Sequence, residues 1–468
     1  MINYFYLVLI YIFVLFIISA FFIKKTLTSF EEYGYCGRSL SIGFIFFTYL
    51  GTWIGGGTIV GLVSRSYDYG ANQYWLIGMS CFIEVFFALF FVEKIRNSQL
   101  KSITDFFADR YPDRNGIVRV PAVAAILIRN VTMIAMQFSA LSYLITYVFG
   151  INRNLALLLV FLVVISYTVL SGLWGVAVTD VFQGLLQTLG IVSLCVIAYK
   201  ACGGIYFAQK FYTAEGIGDH MNLFHFGGEW YSIPLYILAY GLFFLMNDQS
   251  NWERVYASRS TKTAKWGFAV PLMVTLMMLV VIVYTGVFQR VVMNGEGDSS
   301  YIIYGFLFDI LNSKAAVMIL VAIIAAIMST ADSFLLASGV TVSEDIIRKF
   351  IIKDATDKEM IFFTRIFVIV TGSIAFAFAL NTDYILGLWM SGIGMTSIIM
   401  LPGYLLGWLN RRPATRGVLW GMAAGSVCVL ILIFTPLELS AANICIGIII
   451  NALVSAAGTL TVGKGVRA

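Results

Sequence analysis

Hydroxyl and carboxylate side chains share one face of an apolar segment that reads "AAIMSTADSFLLASGVTVSEDIIRK" from residue 325. Ser329 and Ser333 are one helical turn apart, Asp332 is three residues after Ser329, and Thr330 is one position round the helix. Serine and threonine alone often bond to the carbonyls of their own helix. A carboxylate added to them at bilayer depth is costly unless it binds something. The stretch therefore predicts oxygen ligands for a cation.

Glycine is concentrated in a second apolar segment, "GTWIGGGTIVG" at residues 51–61. Each glycine weakens a helix interior by about 1 kcal/mol relative to alanine. Small residues in membrane helices often mark close packing between helices, but three successive glycines after an aromatic residue favour a break. A break at bilayer depth exposes carbonyl oxygens, which are hard ligands suited to a cation such as sodium.

Two further stretches carry acidic groups near the predicted ends of membrane spans. In "SGLWGVAVTDVFQGLLQ", Asp180 either complements the dipole at a helix start or stops a cation on its route to the cytoplasm. In "FFLMNDQSNWERVYASRSTKTAKWG", Asp248 either faces a solute cavity or begins a charged loop. We expect Glu84 and Arg129, at comparable depth in neighbouring spans, to form a structural ion pair because buried charges need partners.

The composition places these residues in an integral membrane protein. Hydrophobic residues make up 60% of the 468 residues and charged residues 12%, against about 25% charged in soluble domains. The mean hydropathy is +0.89. Apolar stretches of about 20 residues, each able to cross the hydrocarbon core of a bilayer, recur along the chain. We predict an all-α protein in which residues 1–468 form a single transmembrane domain.

The same composition argues against several classes of function. The net charge of +5 does not indicate a nucleic-acid partner, because the positive residues flank the apolar runs. The six cysteines are scattered without a CxxC pair, and the two histidines lie in one polar loop, which argues against a zinc site, a disulfide framework and histidine-based catalysis. We therefore expect no enzyme; the expected partners are a small-molecule solute and the lipid bilayer.

The chain divides into thirteen predicted spans. Their ranges are 4–23, 40–63, 71–93, 118–149, 154–172, 178–199, 231–252, 267–289, 314–343, 360–380, 384–409, 416–435 and 441–462. We interpret the first as a retained span rather than a signal peptide, because it lacks a basic leader and a small-residue cleavage site, and lysines follow it directly.

The lysines and arginines predict the orientation of these spans. With the N-terminus outside and the C-terminus in the cytoplasm, 23 of them lie on the cytoplasmic side, including Arg254 and three others in the loop near 254–265. Six lie on the outer side, and Arg129 alone lies within the membrane. Such an excess marks the cytoplasmic face of a membrane protein. The sequence thus predicts a multi-pass protein of the plasma membrane, or inner membrane in a bacterium.

The span count also predicts an internal repeat. The second to sixth spans, 40–199, and the seventh to eleventh, 231–409, form two sets of five, and an odd number of crossings inverts the second set. The span at 4–23 and the two at 416–462 flank them. Transporters built from inverted five-helix repeats, the broken-helix amino-acid-transporter-like fold, bind solute at mid-membrane on the interrupted first helix of each half. Here those helices are the glycine-rich span and "YSIPLYILAYGLFFLMNDQSNW".

Taken together, these stretches resemble the sodium:solute symporter family over nearly the whole chain. "LWGVAVTDVFQ" is similar to the family signature, and the order and spacing of the spans agree with it. "GTWIGGG", "QSNWERVYASRS", "AAIMSTADS" and "DKEMIFFTRIFVIV" look most like the branch that contains the high-affinity choline transporter.

The resemblance implies three sets of site residues. A main sodium site would use carbonyl oxygens from the second span and hydroxyls from the ninth, at Gly51, Ile54, Ala326, Ser329 and Thr330. A second cation site would use Asp180, Asp332 and Ser333, with Ser329 as well. The solute would contact Trp53, Gly57 and Thr58 beside the broken helix.

The resemblance also bears on the solute. Trp53 matches a tryptophan that the choline transporter uses against a quaternary ammonium, an aromatic-cage interaction. Met133 and Asp248 stand where two other cage aromatics are expected, so this chain departs from the choline pattern. That departure puts choline in doubt and leaves an amine, an amino acid or another small zwitterion in contact with Trp53 and Asp248.

The leading hypothesis is a symporter that uses Na⁺ as coupling ion and imports a small polar solute by alternating access. The first alternative is proton coupling through Asp180 or Asp332 in the same fold. A second is a transporter-like solute sensor, although such receptors generally append a signalling domain, and few residues follow the last span. The oligomeric state does not follow from the sequence.

Overall fold

The computed structural model describes residues 2–113, 116–225, 232–310, 313–381, 385–409 and 414–465. These residues are almost entirely helical and contain no strand, which confirms the all-helical class; one isolated parallel bridge joins Leu40 to Ser258. The helices are α1 (Ile2–Thr26), α2 (Phe30–Tyr35), α3 (Ile42–Trp53), α4 (Leu62–Tyr69), α5 (Tyr74–Phe90), α6 (Val92–Ser98), α7 (Ile103–Arg110), α8 (Arg119–Phe149), α9 (Arg153–Ala201), α10 (Ile205–Ala214), α11 (Ser232–Tyr236), α12 (Phe243–Met246), α13 (Gln249–Ala257), α14 (Thr261–Val292), α15 (Ile302–Gly305), α16 (Ser313–Val342), α17 (Asp357–Leu380), α18 (Ile385–Leu409), α19 (Thr415–Phe434) and α20 (Ala441–Gly465).

Within the described residues, ten helices are long and apolar enough to cross a membrane, and one bent pair adds an eleventh. The fifth and sixth predicted spans fall in one 49-residue helix, α9, which Gly172 interrupts with a φ of 55°. Only glycine adopts this extended, positive-φ backbone at little cost. The count of thirteen and the inverted arrangement of the two halves stay predictions.

The break predicted in the second span is present. Helix α3 ends at Trp53, a π-helical turn covers Gly57–Gly61, and the two parts of the span meet at an angle of 50°. Ile54 has φ −99° and ψ 75°, so its peptide has left the helical conformation. The span is therefore two half-helices joined by an unwound link.

The seventh predicted span is interrupted as well. After α11 comes a π-helical turn at Ile237–Gly241, then α12, and then Asn247 with a φ of 63°. Asp248 caps α13, its side chain accepting a hydrogen bond from the Asn251 amide at 3.1 Å. Residue 231, where this predicted span begins, lies outside the described residues.

Helix α16 is the most buried of the candidate spans and packs against α3, α8, α9 and α17. Helix α1 packs on α9 and α16, whereas α19 and α20 pack against each other and against α18. The hydroxyl-bearing helix therefore lies at the centre of the bundle, next to the first interruption.

Of the arginines assigned to the cytoplasmic side, Arg114, Arg411, Arg412 and Arg467 lie outside the described residues.

Candidate functional site

The end of α3 meets the middle of α16 through carbonyl and hydroxyl oxygens. Ser329 Oγ lies 3.0 Å from the carbonyl oxygens of both Gly51 and Ala326. Thr330 Oγ1 lies 3.3 Å from the Gly51 oxygen, 3.1 Å from that of Ala326 and 3.2 Å from that of Thr52. Both hydroxyl side chains are buried. Four of the five residues expected at the main sodium site thus lie within hydrogen-bond distance of one another.

The fifth expected ligand, Ile54, is positioned differently. It is the residue at which α3 stops, and no hydrogen bond joins it to Ser329 or Thr330 among those of the described residues. Its non-helical ψ turns its carbonyl away from the axis along which the preceding carbonyls point.

Glycine at position 55 permits this close approach. A Cβ on Gly55 would lie 2.5 Å from Thr330 Oγ1 and 2.9 Å from Gln137 Oε1, distances that real Cβ atoms do not show. Gln137, on α8, accepts a hydrogen bond of 2.7 Å from the Gly56 amide and so pairs one of the donors that the break exposes. Gln137 was not foreseen from the sequence, where a lone glutamine in an apolar helix gives little signal.

The donor set at this junction fits a small hard cation. Its atoms are all oxygens, three of them the backbone carbonyls of Gly51, Thr52 and Ala326 and two of them hydroxyls, and oxygen-only shells suit hard cations. A hydroxyl that donates to a carbonyl can rotate and turn a lone pair toward a cation instead.

The residues predicted for a second cation site are arranged around an arginine. Arg254 Nη2 lies 3.7 Å from Asp180 Oδ2 and donates a hydrogen bond of 2.6 Å to Ser333 Oγ. Asp180 also accepts a hydrogen bond from Thr48. Asp332 accepts one of 2.9 Å from Tyr167. The chain's own guanidinium thus lies between Asp180 and Ser333, where the prediction put a metal cation.

The position of Arg254 corrects the assignment of this residue to a cytoplasmic loop. Only 1% of its surface is exposed, and its Nε and Nη1 bind Thr48 Oγ1 and the Ser250 carbonyl at 3.0 and 2.9 Å. The reason is the interruption at Asn247: the short helix α13 that follows is buried along its whole length. The many polar residues of α13 give it the low hydropathy of a loop, so the sequence did not indicate a buried half-helix.

A cavity adjoins the junction of α3 with α16 on the side of the unwound link. Four of the five predicted solute contacts, Trp53, Thr58, Met133 and Asp248, line it. The fifth, Gly57, does not; a Cβ there would meet the sulfur of Met136. Gly55 lines the wall instead; it follows Ile54 in the unwound link, before the π-helical turn at Gly57–Gly61.

The cavity is small and its walls are chemically mixed. Its volume of about 30 Å³ suits one or two water molecules, so a solute enters only if flexible side chains such as Met133 move aside. Phe244 and Trp389 add an aromatic wall to Trp53, whose ring centroid is 5.6 Å from that of Phe244. The sequence analysis missed both, since aromatic residues are common on lipid-facing and packed surfaces alike.

The expected ion pair between Glu84 and Arg129 is absent from the described contacts. Glu84 accepts hydrogen bonds from Trp53 Nε1 at 2.5 Å and from Asn251 Nδ2 at 3.3 Å. Arg129 Nη2 instead lies 3.8 Å from Asp248 Oδ2. Similar depth in two neighbouring helices does not fix the rotation of each helix about its own axis, so the wrong carboxylate was paired with the arginine.

A second ionic cluster ties together segments on the predicted cytoplasmic side. Lys101 Nζ lies 3.3 Å from Glu31 Oε2 and 3.7 Å from Glu344 Oε1, which joins the loop before α7 to α2 and to the end of the α16 span. Burial lowers the pKa of Lys101, but the carboxylates of Glu344 and Glu31 outweigh it, so the pKa lies above the usual value for lysine.

Arg119 adds a second connection to this cluster. Its Nη2 lies 2.8 Å from Asp105 Oδ1, and its Nη1 lies 2.5 Å from Asp345 Oδ1. We call Lys101, Arg119 and their four carboxylate partners the ionic clasp. It holds α2, α7 and α8 against the end of the α16 span.

The chain is similar to known membrane transporters. The model of the family described as "Sodium:solute symporter family" matches residues 33–425. The osmoregulated proline transporter OpuE of Bacillus subtilis is 28% identical over 351 residues, covering 72% of this chain and 69% of that protein. The high affinity choline transporter 1 of Homo sapiens is 26% identical over 416 residues, covering 83% of this chain and 68% of that protein.

A solved structure shares the fold. It is that of a Na⁺-coupled sialic acid symporter in a substrate-bound, outward-open state, with a TM-score of 0.82 at 16% identity over 98% of this chain and 97% of that one. At that identity the likeness concerns the course of the chain and not the ligands.

Proposed function

Because this chain belongs to the sodium:solute symporter family, we propose that the junction of α3 with α16 is its coupling-ion site and that the adjoining cavity is its solute site. The protein is a sodium-coupled solute symporter of the membrane, in a family whose members, like the relatives described above, are transporters. The assignment of sodium to this junction depends on one observation: the Gly51 and Thr52 carbonyls, where α3 ends, meet the hydroxyls of Ser329 and Thr330 on α16.

Thr330 provides a physical link between the two sites. Its hydroxyl belongs to the sodium junction, and the same residue lines the solute cavity together with Gly55. A sodium ion held there would fix the end of α3 against α16 and so shape one wall of the cavity. Each ligand then favours the same conformation, and by linkage each raises the affinity of the other.

The solute that this cavity favours is a small polar molecule with a cationic nitrogen: an amine, an amino acid or another zwitterion. Asp248 supplies a carboxylate, and Trp53, Phe244 and Trp389 supply aromatic faces, which attract cationic nitrogen. Relatives named as transporters of proline and of choline are consistent with a solute that carries a cationic nitrogen. Uptake would run from the side with few positive charges into the cytoplasm.

We further infer that a single sodium ion is coupled to each solute. The position expected for a second cation contains the Arg254 guanidinium, 3.7 Å from Asp180. A fixed positive charge there supplies the neutralisation that a second metal ion would otherwise provide.

Proton coupling is the second candidate, and a particular observation favours it. Asp180 Oδ1 is buried and has no hydrogen-bond partner among the described residues, and Asp332 is bonded to Tyr167 close by. A buried carboxylate of this kind is a plausible proton acceptor. Uptake driven by a pH gradient in the absence of sodium would support this candidate and reject sodium coupling.

The decisive experiment is a thermal-unfolding panel on the purified protein, followed by uptake into proteoliposomes. Amines, amino acids, carboxylates and sugars are each added in NaCl and in KCl of equal ionic strength. We expect at least one nitrogen-bearing solute to raise the unfolding temperature in NaCl alone, since a ligand of the native state stabilises it. Equal stabilisation in both salts, with uptake that does not need sodium, would refute the proposal.

A further inference from the structure

We propose that Arg129 binds the carboxylate of the solute, and that the transported class is therefore a zwitterion with one carboxylate and one cationic nitrogen. This inference rests on the proposed function, because it assumes that the cavity beside Trp53 is the solute site. It narrows that function by excluding simple amines, amino alcohols and sugars.

The guanidinium of Arg129 is buried and under-paired. Arg129 is 3% exposed and lines the cavity. Its Nε and Nη1 have no hydrogen-bond partner among the described residues, and its Nη2 is 3.8 Å from Asp248 Oδ2, beyond hydrogen-bond distance. The rings of Phe243 and Phe334, 5.1 Å away, offer faces but no acceptor atoms. Buried N–H groups are rarely left without acceptors, so this side chain indicates a ligand that supplies hydrogen-bond acceptors to Nε and Nη1.

A carboxylate is the partner that fits these donors. A guanidinium presents N–H groups in a planar fork that a carboxylate can accept in pairs. Either edge of the Arg129 fork is available, since two of its nitrogens are unpaired and the third lies only at ion-pair distance from Asp248. Gln137 Nε2, another buried donor without a partner among the described residues, lines the same cavity.

The opposite charge is also present in the cavity wall. Asp248 supplies a carboxylate, which already accepts hydrogen bonds from its neighbours. An ammonium group placed beside this carboxylate and the aromatic rings would be attracted, whereas the same cation without a carboxylate would also face the charge of Arg129. A small zwitterion satisfies both ends, which neither an amine nor a simple carboxylate does.

Matched ligand pairs test this inference directly. Each pair keeps the nitrogen and removes only the negative charge: L-proline with L-prolinamide, and glycine betaine with choline. Glycine and L-alanine, each with its amide, extend the set. Binding is measured as the shift of the unfolding temperature of the full chain in NaCl. We expect at least one acid to stabilise the protein and its partner to require at least about 100-fold higher concentration for the same shift.

Arg129 variants separate the anchor from a purely structural role. In Arg129→Gln the concentration of acid needed for half-maximal shift should rise about 100-fold. In Arg129→Lys, which keeps the charge but loses the fork, it should rise less. Stabilisation by Na⁺ alone should persist in both variants, which shows that they fold and that the ion site is intact. If Na⁺ alone does not stabilise the wild-type protein, the proposed sodium-coupled function is rejected, whatever the role of Arg129.

Three results would overturn the proposal. The first is a panel in which amides or choline stabilise as well as their acids, or in which no acid stabilises the sodium-loaded protein. The second is an Arg129→Gln variant that binds the acids within about threefold of the wild type. The third is recovery of acid binding in the double variant Arg129→Gln/Asp248→Asn, which would mean that Arg129 serves only as counter-ion for Asp248.

Discussion

Removal of the two hydroxyls of α16 should abolish sodium binding while leaving the fold intact. The variants are Ser329→Ala, Thr330→Ala and the double substitution. Each deletes an oxygen that lies 3.0–3.3 Å from the Gly51 carbonyl and that we assign to the ion. Two matched controls are available. Thr330→Ser retains the hydroxyl, and Ser338→Ala removes a buried hydroxyl that accepts a 3.0 Å hydrogen bond from Asn130, away from the junction.

The magnitude follows from the number of oxygens lost. An interaction with a charged group contributes about 1.5–3 kcal/mol, so each single variant should raise the dissociation constant for Na⁺ about 10- to 150-fold. The double variant should exceed about 100-fold even if the two effects are only partly additive. The loss of neutral hydrogen bonds to Gly51 and Ala326 costs the sodium-free fold only about 1 kcal/mol for each variant.

The assay is a sodium titration of the unfolding temperature, with KCl holding the ionic strength constant. We expect the sodium midpoint to rise in the order wild type, single variants, double variant, with Thr330→Ser and Ser338→Ala close to wild type. Solute uptake into proteoliposomes should fall in the same order. An unchanged sodium midpoint in the double variant would refute the assignment of the ion to this junction.

Three other perturbations have definite expected outcomes. Gly55→Ala should destabilise the protein by about 1–3 kcal/mol and weaken sodium binding, because the new Cβ would collide with Thr330 and Gln137. The control Gly43→Ala on α3, whose Cβ would meet no atom within 4 Å, should be neutral or stabilising, as measured by chemical unfolding and a sodium titration. Arg254→Gln should lower the free energy of unfolding by about 3–5 kcal/mol, because it leaves Asp180 without its ion-pair partner. Added Na⁺ should restore part of that stability, with a Hill coefficient above that of the wild type; an unaltered sodium response would contradict the role given to this guanidinium. Lys101→Met should open the ionic clasp and so increase labelling of the predicted cytoplasmic face by thiol or proteolytic probes. Because the pKa of Lys101 is raised in the folded protein, its contribution to stability should be complete below about pH 10 and be lost as the pH rises through the folded pKa. The stabilities of wild type and variant should therefore converge only in alkali.

The features that could be predicted from the sequence are those that follow from local spacing. The run of glycines after Trp53 predicted the break, and helical periodicity put Ser329 on one face with Asp332 and Ser333. That Ser329 meets the break was implied by the family resemblance. Trp53, Thr58, Met133 and Asp248 were expected at the solute cavity from their positions relative to that break and from the family resemblance.

The features that could not be predicted depend on how each segment is rotated or redirected. Gly57 is not in the cavity wall, because the chain leaves the helical conformation at Ile54, which a constant spacing of 3.6 residues per turn does not anticipate. Arg254 was taken for a loop residue because nothing in its immediate neighbours shows that α13 is buried. Arg129 was paired with Glu84 by depth alone, although rotation of the helices brings it to Asp248.

The most direct test of the central assignment is coupled flux in proteoliposomes, with radioactive sodium as tracer. An inward gradient of the solute identified by the unfolding panel is imposed without a sodium gradient, and sodium entry is followed over time. We expect solute-driven entry of sodium in the wild type and none in Ser329→Ala/Thr330→Ala. Solute entry that moves no sodium, or sodium movement that survives the loss of both hydroxyls, would contradict the assignment.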